Sequence, residues 1–131
     1  MGSSPEQIPF NGPHNIPGIT QVEDFDDGGE GIAYHDNDPG NSLGPAVYRN
    51  TDVDITGGGN GFVVGNARAE TNPAQREWLE YTVNVVTTGN YELYANVASD
   101  GPGGRFHYEI DRDTATPIFT AQVEVPNTNN A

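Results

Sequence analysis

WLEYTVNVVTTGNYELYANVA, residues 78–98, carries the strongest strand signal in the chain and decides the fold class. Trp78, Glu80, Thr82 and Asn84 alternate with Leu79, Tyr81, Val83 and Val85, and a side-chain period of two puts these sets on opposite faces of a strand. Thr87, Thr88, Gly89 and Asn90 form a turn signal. Residues 91–98 then read as the antiparallel continuation, with Tyr91, Leu93, Ala95 and Val97 on one face.

The same grammar extends in both directions. Downstream, residues 105–111 (RFHYEID) place Phe106, Tyr108 and Ile110 on one face, and residues 118–125 (IFTAQVEV) form a last strand. Upstream, residues 19–25 (ITQVEDF) read as the first strand, with Ile19, Gln21, Glu23 and Phe25 on one side. Residues 32–35, 46–49, 53–55 and 62–64 are further short strands, separated by the polar loop 36–45 and the glycine run 57–61. The stretch 67–76 tolerates a short helical turn. Short strands with turn signals every ~8–12 residues predict an all-β sandwich or jelly roll. Residues 1–18 read as a leader left by cloning followed by a Pro/Gly linker, with Ile8 and Phe10 against the domain edge, and residues 19–131 as the module itself.

Composition narrows the partners. The 131 residues contain 17 glycines and 10 prolines, and only 34 % are hydrophobic, which suits many short strands joined by loops. Six Tyr, five Phe and one Trp fall mostly inside strand-like runs, which favours a folded domain over a disordered one. Nineteen acidic residues stand against five arginines and no lysine, a net charge of -14. That charge repels phosphate backbones and anionic head groups, so neither nucleic acid nor a membrane surface is expected as a partner. Cysteine is absent, which excludes disulfides, thiolate metal sites and a cysteine nucleophile.

Catalytic patterns are weak. Glu77 and Glu80 lie on opposite faces of a strand and cannot form the carboxylate pair of a glycosidase, and Glu23 with Glu30 or Asp52 with Asp54 are supported by proximity alone. His14, His35 and His107 have no nucleophile motif beside them. Oxygen-only ligands favour Ca²⁺ among metals. Gln21 and Glu23, one residue apart on one side of a strand, are either the start of such a site or the charged face of a protected edge strand. Sugar recognition needs flat aromatic faces with polar groups beside them, for which Tyr34, Tyr48, Phe62 and Trp78 are candidates. Alternation does not separate an exposed stacking ring from a core one, and core is the commoner place for any single one of them. Tyr48 stands out because it lies between the loop 36–45 and the polar stretch 49–54.

Taken together, VEDFDDGGEGIAYHDNDPGN (22–41), VYRNTDVDI (47–55), the glycine-rich 57–65, EWLEYTV (77–83), GNYELYANVAS (89–99) and GGRFHYEID (103–111) resemble the family 6 carbohydrate-binding modules. The resemblance runs from about Gln21 to Pro126, and no single block carries it alone. It implies a jelly-roll β-sandwich that is not itself an enzyme and binds a polysaccharide or oligosaccharide of β-glucan, agarose or xylan type for a secreted glycoside hydrolase. It further implies a structural Ca²⁺ at positions matching Gln21 and Glu23, and a sugar site in the loops at one end of the sandwich with Tyr48 as its first aromatic. Tyr34 is a further candidate there, and Asp100 in the loop SDGPGG could read a hydroxyl where some members present an aromatic. Family members continue for about one more hairpin, so the completing C-terminal strands, the second aromatic and the remaining calcium ligands are expected outside this chain, on a second chain or in sequence it lacks. The alternatives are a calcium-dependent adhesion sandwich and a glycoside hydrolase domain in its own right.

Overall fold

The computed structural model describes residues 6–45, 47–58, 61–65 and 72–129. The chain forms two units, Met1–Tyr91 and Glu92–Ala131. Both are strand-rich, and among the described residues the only helical element is one 3₁₀ turn, Pro73–Gln75. The all-β expectation therefore holds. The described strands pair two by two into five small sheets.

In the first unit, β1 (His14–Ile16) pairs in parallel with β6 (Val83–Val85), and β2 (Tyr34–His35) pairs antiparallel with β5 (Trp78–Leu79). Strands β3 (Ile55–Gly58) and β4 (Gly61–Val64) form a hairpin. Gly57 has φ 126°, and a Cβ there would run into the carbonyl oxygen of Gly61, so the hairpin requires glycine at this position. In the second unit, β7 (Arg105–Phe106) pairs with β10 (Val123–Glu124), and β8 (Glu109–Ile110) with β9 (Ile118–Phe119), both antiparallel.

Three expectations change. The strand over 78–86 is broken into β5 and β6, because the backbone between them is bonded elsewhere. Glu80 N donates to Ala33 O (2.9 Å) and Glu80 O accepts from Asp26 N (2.9 Å), while Thr82 N donates to the Asp26 carboxylate (2.9 Å). The partner of β6 is the upstream segment 14–16 and not residues 91–98, which form no strand. Residues 19–25 are not a strand either. Asp24 N closes a turn on Gln21 O (3.0 Å), and burial runs unbroken from Glu23 through Asp26 instead of alternating. Of the helical turn expected over 67–76, the part at 67–71 lies outside the described residues, as do Ala46 and part of the glycine run.

The core sits in the first unit and is small: Phe25, Ala33, Tyr34, Val53 and Ile55, with Tyr48, Phe62, Val64, Leu79 and Tyr81 packed against it. Asp26, 1 % exposed, is tolerated there because its carboxylate accepts from Thr82 N, Thr82 Oγ1 (2.5 Å) and Gln7 Nε2 (2.8 Å). Residues 7–16, read from sequence as linker, are built into this unit. Ile8 and Asp27 exchange both backbone hydrogen bonds at 2.8 Å, and His14, buried, bonds through Nε2 to Asp24 O (3.0 Å).

Candidate functional site

A row of side chains runs from this core to the surface. Its hub is Arg49, 7 % exposed, whose guanidinium lies between the rings of Phe25 and Phe10, at 4.0 and 3.8 Å from their centroids. A buried cation needs acceptors, and the turn at 21–27 supplies them. Arg49 donates to Phe25 O, to Glu23 O (3.2 Å), to Asp26 O (3.4 Å) and to the Asp27 carboxylate (2.6 Å). Phe10 in turn meets Tyr48 edge-on (centroids 5.8 Å, 88°), and Tyr48 stacks on Phe62 (4.5 Å, 29°), both packed against the core.

Tyr48 is half-buried and held at both ends. Its ring rests on Phe62, and its hydroxyl donates to Asp24 Oδ1 (2.7 Å) while accepting from Asn11 Nδ2 (2.9 Å). The same Asn11 amide reaches Asp24 Oδ1 at 3.3 Å. The bond to the Asp24 carboxylate is the main cause that raises the Tyr48 phenol above its ordinary pKa, with burial adding to it. The result is an aromatic ring fixed in place beside one carboxylate and one carboxamide, the set of groups that stacks on a sugar face and reads hydroxyls.

The other sequence candidates are placed differently. Tyr34 is 6 % exposed, packs edge-on against Phe25 (5.7 Å) and accepts Asp52 N on its hydroxyl (3.3 Å). Burial comes first in raising its phenol pKa. Its ring supports the row from inside the core. Gln21 is exposed, whereas Glu23 is 6 % exposed and one of its carboxylate oxygens, Oε2, is buried without a hydrogen bond. The turn at 21–24 thus leaves Gln21 at the surface and buries Glu23, where a strand would have set them on one face. Glu23 is the chain neighbour of Asp24, the carboxylate that Tyr48 bonds, and its charge adds to the raised phenol pKa. Asp100 is an exposed residue of the second unit, in a loop where Ser99 N donates to Thr128 Oγ1 (2.9 Å) and Gly101 N to Asn127 Oδ1 (3.0 Å).

Of the acidic residues considered for catalysis, Asp52, Asp54 and Glu30 act as anchors for backbone. Asp52 accepts Gly40 N (2.8 Å), and Asp54 accepts Ser42 N (2.5 Å) and Ser42 Oγ (2.6 Å), which fastens the loop 36–45 onto the first unit. Glu30 bridges His35 Nδ1 and Asp36 N (2.9 Å). The Glu30 contact is the leading cause that raises His35 above the ordinary histidine pKa, and burial is the leading cause that raises Asp36. Among the described residues, no group of three or more His, Asp or Glu side chains is arranged to hold a metal ion.

Sequence reasoning missed Phe10, Asn11, Asp24 and the central part of Arg49. The first two sit in a Pro/Gly-rich stretch, and the acceptors of Arg49 are mostly main-chain carbonyls. No family model matches the chain, and neither a curated protein nor a solved structure matches it.

Proposed function

We propose that the chain is a secreted, non-catalytic polysaccharide-binding module, folded as a jelly-roll β-sandwich, that keeps an appended glycoside hydrolase on its substrate. The observation that carries this reading is Tyr48: a half-exposed ring whose orientation is fixed by Phe62, Phe10 and Asp24, with the Asn11 amide beside it. A ring already immobilised loses little rotamer entropy when a pyranose stacks on it, so its contact surface converts efficiently into affinity. Asn11, exposed beside the ring, would read a hydroxyl of that sugar, and Asp24 holds both it and the Tyr48 hydroxyl in place.

A structural Ca²⁺ belongs to the same reading. Glu23 fits it, because a buried carboxylate oxygen without a donor is the kind of group that a hard cation satisfies. Glu23 would supply that oxygen and Gln21 its amide or main-chain oxygen, and the ion would stiffen the turn from which Asp24 reaches Tyr48. The deciding experiment is an affinity-gel and calorimetric screen against xylan, laminarin, agarose and cellulose, run with a reducing-sugar assay. Retention on one polysaccharide without sugar release is expected. Release of reducing ends, or no retention on any of them, would defeat the proposal.

A further inference from the structure

Asn11 is followed by Gly12, is exposed, and has φ 49°, a left-handed conformation that asparagine tolerates better than most residues. Glycine has no side chain to shield its backbone nitrogen. In an Asn-Gly step that nitrogen can attack the preceding side chain, an intramolecular reaction favoured by proximity. Among the described residues, the groups that hold the Asn11 carboxamide are those of the candidate site, Tyr48 Oη at 2.9 Å and Asp24 Oδ1 at 3.3 Å.

We infer that the Asn11–Gly12 step is a self-modification site, gated by Tyr48, whose deamidation breaks the polar end of the aromatic row. The Gly12 nitrogen loses its proton and forms a bond to Asn11 Cγ. The carboxamide nitrogen takes up a proton and leaves as ammonia. Water then opens the succinimide at one of its two carbonyls, giving aspartate or isoaspartate. Either product replaces a donor with a carboxylate facing Asp24. The hydrogen bond that the Asn11 amide donates to the Tyr48 hydroxyl is lost, and the new negative charge stands against the Asp24 carboxylate that the amide had contacted. That this also weakens sugar binding rests on the function proposed above; the chemistry and its gating by Tyr48 do not.

The test follows the intact chain during incubation at mildly alkaline pH. The sequence holds a second Asn-Gly step, Asn60–Gly61, so cleavage after Arg49 is used to separate residues 1–49 from residues 50–68 before mass spectrometry. Asn11 is expected to gain the mass that marks exchange of NH2 for OH, with isoaspartate in the product, and N11Q is expected to abolish the change in that fragment. Removing the Tyr48 hydroxyl in Y48F should speed conversion by about threefold or more, the equivalent of one neutral hydrogen bond. An unmodified Asn11 under conditions where a free peptide of residues 7–15 converts would overturn the inference, as would an unchanged rate in Y48F. N11D, which carries one product directly, should melt below the uncharged N11S at neutral pH; equal melting temperatures would remove the repulsion with Asp24. For sugar, N11D should bind at least tenfold more weakly than the wild type, and equal affinity would overturn the link to the site. A wild-type chain that binds no polysaccharide defeats the proposed function alone, because conversion and its gating are read by mass.

Discussion

Replacing Arg49 with methionine removes the hub of the first unit while keeping an unbranched apolar stem between Phe10 and Phe25. The loss can be worked from its contacts. The guanidinium sits at 3.8 and 4.0 Å from two ring centroids, and desolvated cation–π contacts contribute about 1–2 kcal/mol together. Removing the donor also leaves the Phe25 and Glu23 carbonyls without it, at about 1–3 kcal/mol for each buried group that loses its partner. The Asp27 carboxylate is 55 % exposed and recovers water, so it adds little. The total is about 3–8 kcal/mol. A domain with about 5–15 kcal/mol of stability is left marginal by such a loss. Urea unfolding followed by the fluorescence of Trp78, the sole tryptophan, measures the change as a shift in midpoint at constant slope. R49K separates charge from shape. It retains the cation but not the planar fork, and should lose roughly half as much, about 2 kcal/mol. Hydrogen exchange adds a local readout, since the Ile8 and Asp27 amides should lose protection in R49M before the hairpin β3–β4 does. A midpoint shift worth less than about 1 kcal/mol in R49M would refute the placement of Arg49 between the two rings.

D26A should destabilise the fold by about 2–4 kcal/mol, because the Thr82 backbone N–H, the Thr82 hydroxyl and the Gln7 amide lose one shared acceptor; urea unfolding checks it, and a loss within experimental error counts against the buried network. Calcium at a hundredfold excess over its Kd should stabilise the wild type by about 2.7 kcal/mol and raise its melting temperature, with no rise in E23Q. A melting temperature indifferent to both calcium and chelator removes the metal assignment. The His35 pKa is raised by Glu30 and further by Glu77, so the pair stabilises the fold fully below the ordinary histidine value of 6.5 and loses that contribution as pH rises through the raised value. Wild type should therefore exceed H35Q in melting temperature under acidic conditions, with the gap closing toward alkaline pH; a gap that widens with pH contradicts the Glu30–His35 contact.

The all-β class is legible because Val, Tyr, Phe and Thr recur in short runs between Gly, Pro and Asn turns, whereas the hairpin β3–β4 extends its strands into the glycine run that reads as a loop. What stayed hidden has a common physical origin. The parallel pairing of β1 with β6 uses HNI, three residues between two prolines, with no alternation to detect. The segment 19–25 reads as a strand because alternation is taken from residue type, and the structure makes it a turn. Asp24 and Asp26 are nevertheless buried, since hydroxyl, amide and backbone donors from distant segments satisfy them. Tyr48 was found by its position at a loop junction. The groups that orient it, Phe10, Asn11 and Asp24, come from 24 to 38 residues away in sequence and leave no local trace.

The central claim is that Tyr48 is the ring on which a sugar stacks. Titration calorimetry of the wild type and Y48A against the polysaccharide retained in the screen tests it most directly. Y48A should keep the wild-type unfolding profile within about 2 kcal/mol, as a half-buried ring allows, and bind at least tenfold more weakly, about 1.4 kcal/mol. A folded Y48A with wild-type affinity would contradict the account.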